Sequence, residues 1–232
     1  MITVENIHKS FQDNKVLKGI DATFERGKTS LIIGQSGSGK TVFLKSLLGL
    51  FQPEQGTISF DGSISKEMSD VQKRQLRQDM GMVFQGSALF DSLSVEENIM
   101  FPIKMFANQT RSEMLDRVNA VLKRVNLENV NSKLPAELSG GMQKRVAIAR
   151  AIVMNPKYLF CDEPNSGLDP KTAIVIDNLI QEITKEYQIT TVINSHDMNS
   201  VMEIGEKILF LKDGLKAWEG SNKEIFKTDN ES

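Results

Sequence analysis

One stretch of this chain, Gly34-Gln35-Ser36-Gly37-Ser38-Gly39-Lys40-Thr41, limits its fold more than any other. It fits the phosphate-binding pattern G-x-x-x-x-G-K-[ST], and its setting fits as well. Thr29 to Ile33 before it reads as a short buried strand, and Thr41 to Leu48 after it has helical apolar spacing, with Gly49 as the stop. A strand, a glycine loop and a helix in this order turn several backbone N–H groups onto one anion. The helix N-terminus adds its partial positive charge. Lys40 offers a point charge to the β- and γ-phosphates, and Thr41 a hydroxyl to Mg²⁺. Gly34, Ser36, Gly37, Ser38, Gly39, Lys40, Thr41 and Val42 are therefore expected around the phosphates of a nucleotide.

The rest of the chain supplies the sheet. Ile2 to Ile7 and Ile20 to Phe24 alternate apolar and polar and read as an antiparallel pair, with a turn at Asp13-Asn14. Thr57 to Phe60 reads as a strand closed by Asp61-Gly62. From about Ser69 to Pro156 the signals are helical, apart from a strand at Met80 to Phe84. Ser94 with Glu97 and Thr110 with Glu113 have capping-box spacing. A helix opens at Ser139 and runs towards Met154. After Pro156, strands at Lys157 to Cys161, Thr190 to Ile193 and Ile208 to Leu211 alternate with a helix from Lys171 to Tyr187, and a short helix is expected at Lys223 to Lys227. Strand–helix alternation interrupted by a helical block implies a parallel-sheet α/β core with an α-helical insertion.

Composition narrows the function. The 232 residues carry 28 Lys and Arg against 30 Asp and Glu, a net charge of -2, which gives no bulk attraction for nucleic acid. The single cysteine, Cys161, excludes an intrachain disulfide and reads as a small core residue. The N-terminus lacks the pattern of a secretory signal, and no apolar run approaches the roughly 18 residues of a spanning helix. The chain is expected to be soluble and intracellular.

Two further motifs carry chemistry. The apolar run Tyr158 to Cys161 delivers Asp162 and Glu163 to the carboxyl edge of the sheet, where ligands bind in open α/β folds. Asp162 would hold Mg²⁺ through water, and Glu163 would polarise the attacking water as general base. Leu138-Ser139-Gly140-Gly141-Met142 places two glycines just inside a helix start, at a cost relative to alanine. That placement is explained if backbone N–H groups and the Ser139 hydroxyl must approach an anion.

With these three motifs in this order, the chain resembles the nucleotide-binding subunit of an ATP-binding-cassette (ABC) transporter, from about Ile2 to Phe226. The resemblance implies an ATPase with a phosphate-loop NTPase (RecA-like) core, an N-terminal antiparallel β-subdomain and an inserted helical subdomain. It implies one domain over 1–232, with about 1–85 and 157–220 forming the core and β-subdomain and about 86–156 the helical part. It places Phe11 against adenine, Gln85 near Mg²⁺ and the membrane partner, and His196 at the γ-phosphate. Ser166-Gly167-Leu168-Asp169 becomes the loop that crosses to the opposite subunit. Met142 departs from the usual glutamine. In this family two subunits pack head to tail, each ATP lying between one phosphate loop and the other subunit's Ser139, Gly140 and Gly141. A soluble cassette acting on ribosomes or DNA fits less well, since there is one cassette and no heptad stretch. In a phosphate-loop kinase or GTPase the Leu-Ser-Gly-Gly motif would have no task.

The stretch Gly86-Ser87-Ala88-Leu89-Phe90-Asp91-Ser92-Leu93, followed by Glu97-Asn98 and Phe101-Pro102, is similar to the Mce-associated lipid transporters of the Mla type. Lys144-Arg145 after Met142 fits the same group. The resemblance implies a peripheral protein on the cytoplasmic face of the inner membrane. Its partners would be a permease docking near Gln85 to Asp91 and an Mce-type lipid-binding protein, and its cargo phospholipid.

Overall fold

Two sheets organise the chain, seen in a computed structural model that describes residues 1–225. The first, of four strands, is antiparallel, in the order β2-β1-β4-β5: β1 (Ile2–Phe11), β2 (Asn14–Phe24), β4 (Gln55–Phe60) and β5 (Ser63–Ile64). The second has six strands in the order β10-β9-β3-β8-β7-β6. They are β3 (Thr29–Ile33), β6 (Met80–Val83), β7 (Tyr158–Asp162), β8 (Thr190–Asn194), β9 (Lys207–Lys212) and β10 (Leu215–Gly220). All neighbours in it are parallel except β10 on β9. The helices are α1 (Lys40–Leu47), α2 (Asp70–Gln78), α3 (Val95–Phe106), α4 (Arg111–Arg124), α5 (Gly140–Ile152), α6 (Pro170–Tyr187) and α7 (Met198–Ile204).

The central strands are apolar throughout because both faces of their sheet are covered. Along β3, Leu31 and Ile33 point into one hydrophobic cluster and Ile32 into the other. Along β7, Leu159 and Cys161 face the first, and Tyr158 and Phe160 the second. The period of two thus survives inside an unbroken apolar run. The first cluster continues into α3, α4, α5, α6 and α7; the second takes in α1 and the antiparallel sheet. Cys161 is fully buried, and burial pushes its thiol up, so it packs as a hydrophobe.

Most expected elements form, with local differences, among them longer first strands, since β1 runs to Phe11 and β2 starts at Asn14. The first hairpin turns at Gln12-Asp13, one residue earlier than expected, because Gln12 adopts a φ of 54° and Phe11 pairs with Asn14. The strand β10 and the helix α7 were not expected. β10 shows no clean alternation of burial, and α7 is a short helix capped by Asp197. The helix expected at Lys223 to Lys227 runs past the described residues.

Candidate nucleotide site

Strands β3, β6, β7 and β8 all end on the same edge of the sheet, and the site is built from the loops at that edge. Gly34 ends β3 where the backbone must pass close to β9. A Cβ there would lie 2.1 Å from the Leu211 carbonyl oxygen, and the φ of 148° disfavours any side chain. Gly39 is the N-cap of α1 with no side-chain cap bond, which leaves the first N–H groups of the helix free of side-chain competition. Ser36, Gly37, Gly39, Lys40, Thr41 and Val42 line an open cavity of about 560 Å³, together with Val16, Glu163 and His196. Gly34 and Ser38 are not among the lining residues. Ser38 is buried, and its hydroxyl has no hydrogen-bond partner in the protein.

Lys40 folds back onto its own loop, donating to the carbonyl oxygens of Gly34 at 2.7 Å and Gln35 at 3.0 Å. Burial pulls its ammonium below the ordinary lysine value, while the Glu163 and Asp162 carboxylates act the other way. Glu163 stands at a backbone φ of 46°, rare for a residue with a side chain. Its Oε2 accepts from Gln85 Nε2 at 2.7 Å, and its Oε1 lies 2.8 Å from His196 Nδ1. Gln85, Glu163 and His196 are therefore one cluster, although 78 and 33 residues separate their members in sequence.

Asn194, which no sequence motif marks, completes the site. It is buried at the end of β8, and its Nδ2 donates to Asp162 Oδ1 at 2.6 Å and reaches Thr41 Oγ1 at 3.4 Å. One amide thus holds the hydroxyl and the carboxylate expected to face Mg²⁺. Among the described residues there is no cluster of three His, Cys, Asp or Glu that could hold a metal alone. Thr41 and Asp162 instead fit a small hard cation that takes part of its shell from substrate phosphates and water.

Other expected residues are elsewhere. Phe11 is exposed, packs edge-on against Phe51 at 5.1 Å, and is not among the residues lining the phosphate cavity. Ser139, Gly140, Gly141 and Asp169 do not line it either. Ser139 caps α5, its Oγ accepting from Met142 N. Asp169 caps α6, accepting from the backbone N–H groups of Lys171 and Thr172 and from the Thr172 hydroxyl. Gly141 also has a reason for its size within its own chain. A Cβ there would lie 2.9 Å from Thr172 Cγ2, so α5 packs on α6 at a distance only glycine allows comfortably.

This fold and this loop define an ATP-binding-cassette ATPase. The ABC transporter family matches residues 17–166, and the chain belongs to that family. It is 38% identical over 226 residues to "Methionine import ATP-binding protein MetN" of Clostridium tetani, covering 97% of this chain and 71% of that one. It is 39% identical over 198 residues to "Probable ribonucleotide transport ATP-binding protein mkl" of Mycobacterium tuberculosis, covering 85% of this chain and 55% of that one. The chain thus spans about half the length of the mycobacterial relative. Among solved structures it is similar to the dimeric bacterial ABC transporter cassette MJ0796, with a TM-score of 0.86 and 32% identity over 96% of this chain and 99% of the other. No described helix is long and apolar enough to cross a membrane.

Proposed function

We propose that this chain is the nucleotide-binding subunit of a phospholipid transporter, acting as a head-to-tail dimer under a membrane-embedded permease. The observation that supports the dimer most is that Ser139, Gly141 and Asp169 are not among the residues lining the cavity with Lys40 and Glu163. A motif with the makings of an anion contact, outside the lining of its own phosphate cavity, is given a ligand to meet by a second copy. The similar cassette MJ0796 is described as dimeric.

Within each site, the proton goes from the attacking water to Glu163 as the water oxygen bonds to the γ-phosphorus and the bond to the ADP oxygen breaks. Gln85 and His196 hold one carboxylate oxygen each and so aim the base. Lys40 would leave the loop carbonyls for the phosphates. Thr41, Asp162 and Gln85 would hold Mg²⁺, which neutralises charge on the phosphate oxygens when bound. Phe11 would meet the adenine face, Asp169 the opposite subunit. The division into a core over about 1–85 and 157–220 and a helical part over about 86–156 belongs to the same reading.

Support for the permease comes from a groove of about 540 Å³ beside Gln85 to Asp91, lined by Met82, Phe84, Phe90, Phe101 and Phe106 with Arg77 and Arg150 at its walls. Phe84 and Phe90 are more than a third exposed there. The lipid cargo rests on the wording of this loop and on Met142 with Lys144-Arg145. Relatives named for methionine and ribonucleotide transport keep a different cargo as the second reading. Purification from detergent-solubilised membranes decides between them. Recovery with a permease and an Mce-type lipid-binding protein is expected; recovery with an amino-acid permease and no such protein overturns the lipid reading.

A further inference from the structure

Lys144 is a buried lysine, with 5% of its surface exposed, one turn past Gly140 and Gly141 on α5. An ammonium at such depth is costly unless it is paired. Its Nζ donates to the main-chain carbonyl oxygen of Gln85, and the Ser166 hydroxyl donates to the same oxygen at 3.3 Å. Burial pulls the ammonium below the ordinary lysine value, and the Glu163 carboxylate is the first of the charges that oppose this. Further along α5, Arg150 donates to the carbonyl oxygens of Ser87 and Ala88, each at 2.8 Å. Both of these residues have positive φ, 63° and 47°. One helix therefore grips the segment after β6 at two points, about 9 Å apart along its axis. The Gln85 side chain, rooted in the gripped segment, is the group that meets Glu163 Oε2 at 2.7 Å.

We propose that Lys144 is a positioning residue for ATP hydrolysis: by fixing the Gln85 peptide it holds the Gln85 amide on Glu163, and so aims the carboxylate that takes the proton. The inference rests on the reading of Glu163 as the base. It gives α5 a second task beside carrying Ser139, since the same helix sets the base of its own subunit. Nucleotide affinity is not involved, because Lys144 is not among the residues lining the phosphate cavity.

The test compares steady-state ATP hydrolysis by the full chain, Lys144→Met, Glu163→Gln and the double variant. Methionine keeps the buried alkyl stem and removes the donor. Lys144→Met is expected to lose about 10-fold in kcat, within the roughly 10²-fold that a misplaced catalytic geometry can cost, with KM for ATP changed less than about 2-fold. On the Glu163→Gln background the same substitution should have little further effect on residual hydrolysis, because its route of action is already gone. An unchanged kcat, a loss carried by KM, or an equal loss on both backgrounds overturns the proposal. A normal rate in Glu163→Gln would instead overturn the base assignment, whatever Lys144→Met does. If Lys144→Met melts below the assay temperature, Lys144→Leu, which also lacks the donor, serves in its place with the same outcomes, and all rates are read below the melting temperature of every variant compared.

Discussion

Both carboxylate oxygens of Glu163 are engaged, one by Gln85 and one by His196, on a backbone held at a φ of 46°. Glu163→Gln keeps the shape and removes the proposed base, so ATP should still bind while hydrolysis falls about 10²–10⁴-fold, read by nucleotide binding and phosphate release. Lys40→Ala acts at a different step. Its ammonium is the cation among the residues lining the phosphate cavity, and its loss should weaken ATP binding itself, measurable by titration calorimetry. A buried carboxylate outside the cavity also titrates. Asp177 on α6 accepts from Ser200 at 2.6 Å and Asn165 at 3.1 Å, and Asn165 Nδ2 also lies 3.4 Å from Asp197 Oδ2. Burial, helped by Asp197 and Glu203 and opposed by those two hydrogen bonds, pushes its carboxyl from 3.8 to about 6. The folded state then keeps this proton to higher pH than the unfolded state does. Its contribution to stability is present below about pH 4 and is lost as pH rises through about 6. Asp177→Asn removes that titration. Wild-type stability minus that of the variant, from urea unfolding, should therefore decline between those limits and flatten above them; a flat difference throughout would exclude the assignment.

At the scale of elements, the local rules and the packing agree in most places. The capping boxes Ser94 with Glu97 and Thr110 with Glu113 form as their spacing predicts, and Ser69 with Gln72 adds a third. Asn98, noted in sequence for its resemblance, has a structural task. Buried in α3, it accepts from Phe90 N and donates to the carbonyl oxygens of Phe90, Leu93 and Ser94, fastening the loop beside the apolar groove. Asn98→Ala removes the side-chain partner of the Phe90 N–H and of the Leu93 carbonyl, while the Phe90 and Ser94 carbonyls keep the Leu93 and Asn98 N–H groups, and it should cost about 1–3 kcal/mol of stability by urea unfolding. The contact of α5 with α6 sets two effects in opposition. Gly141→Ala gains up to about 1 kcal/mol of helix propensity but drives a methyl against Thr172 Cγ2. Thr172→Ser removes that methyl and keeps the hydroxyl that bonds Asp169. The double variant should therefore melt above Gly141→Ala alone, and melting curves that place it at or below the single variant would refute close packing as the reason for this glycine.

For the whole molecule, the proposed dimer predicts a trans effect: Ser139→Ala in one subunit should impair hydrolysis at the phosphate loop of the other. In mixed dimers one subunit carries Ser139→Ala and the other Glu163→Gln. If sites are shared, both defects fall on one composite site and the second keeps about half of wild-type activity. If each chain works alone, the Glu163→Gln subunit is dead and the other is impaired, so hydrolysis falls below half. Much of the site was legible in order along the chain. The phosphate loop, Asp162-Glu163 and the Ser139 cap each declare themselves through local spacing, because glycine turns, strand ends and helix starts depend on residues a few positions apart. Asn194 was not legible, being one polar residue after an apolar strand, nor was Lys144, which looks from its neighbours like a solvated helix face. Nor did any local pattern show Phe11 packing edge-on against Phe51. The residues alone determined which chemistry the chain carries: a triphosphate loop, an acidic strand end and a glycine-flanked helix cap. Only the tertiary structure decided which of these meet. β3 lies between β8 and β9, more than 150 residues later in the chain. That order puts Asn194 between Thr41 and Asp162, and α5 is left with Gly141 against α6. Strand order is settled by which apolar faces cover each other across the two clusters, a balance over the whole core that no short stretch of sequence contains.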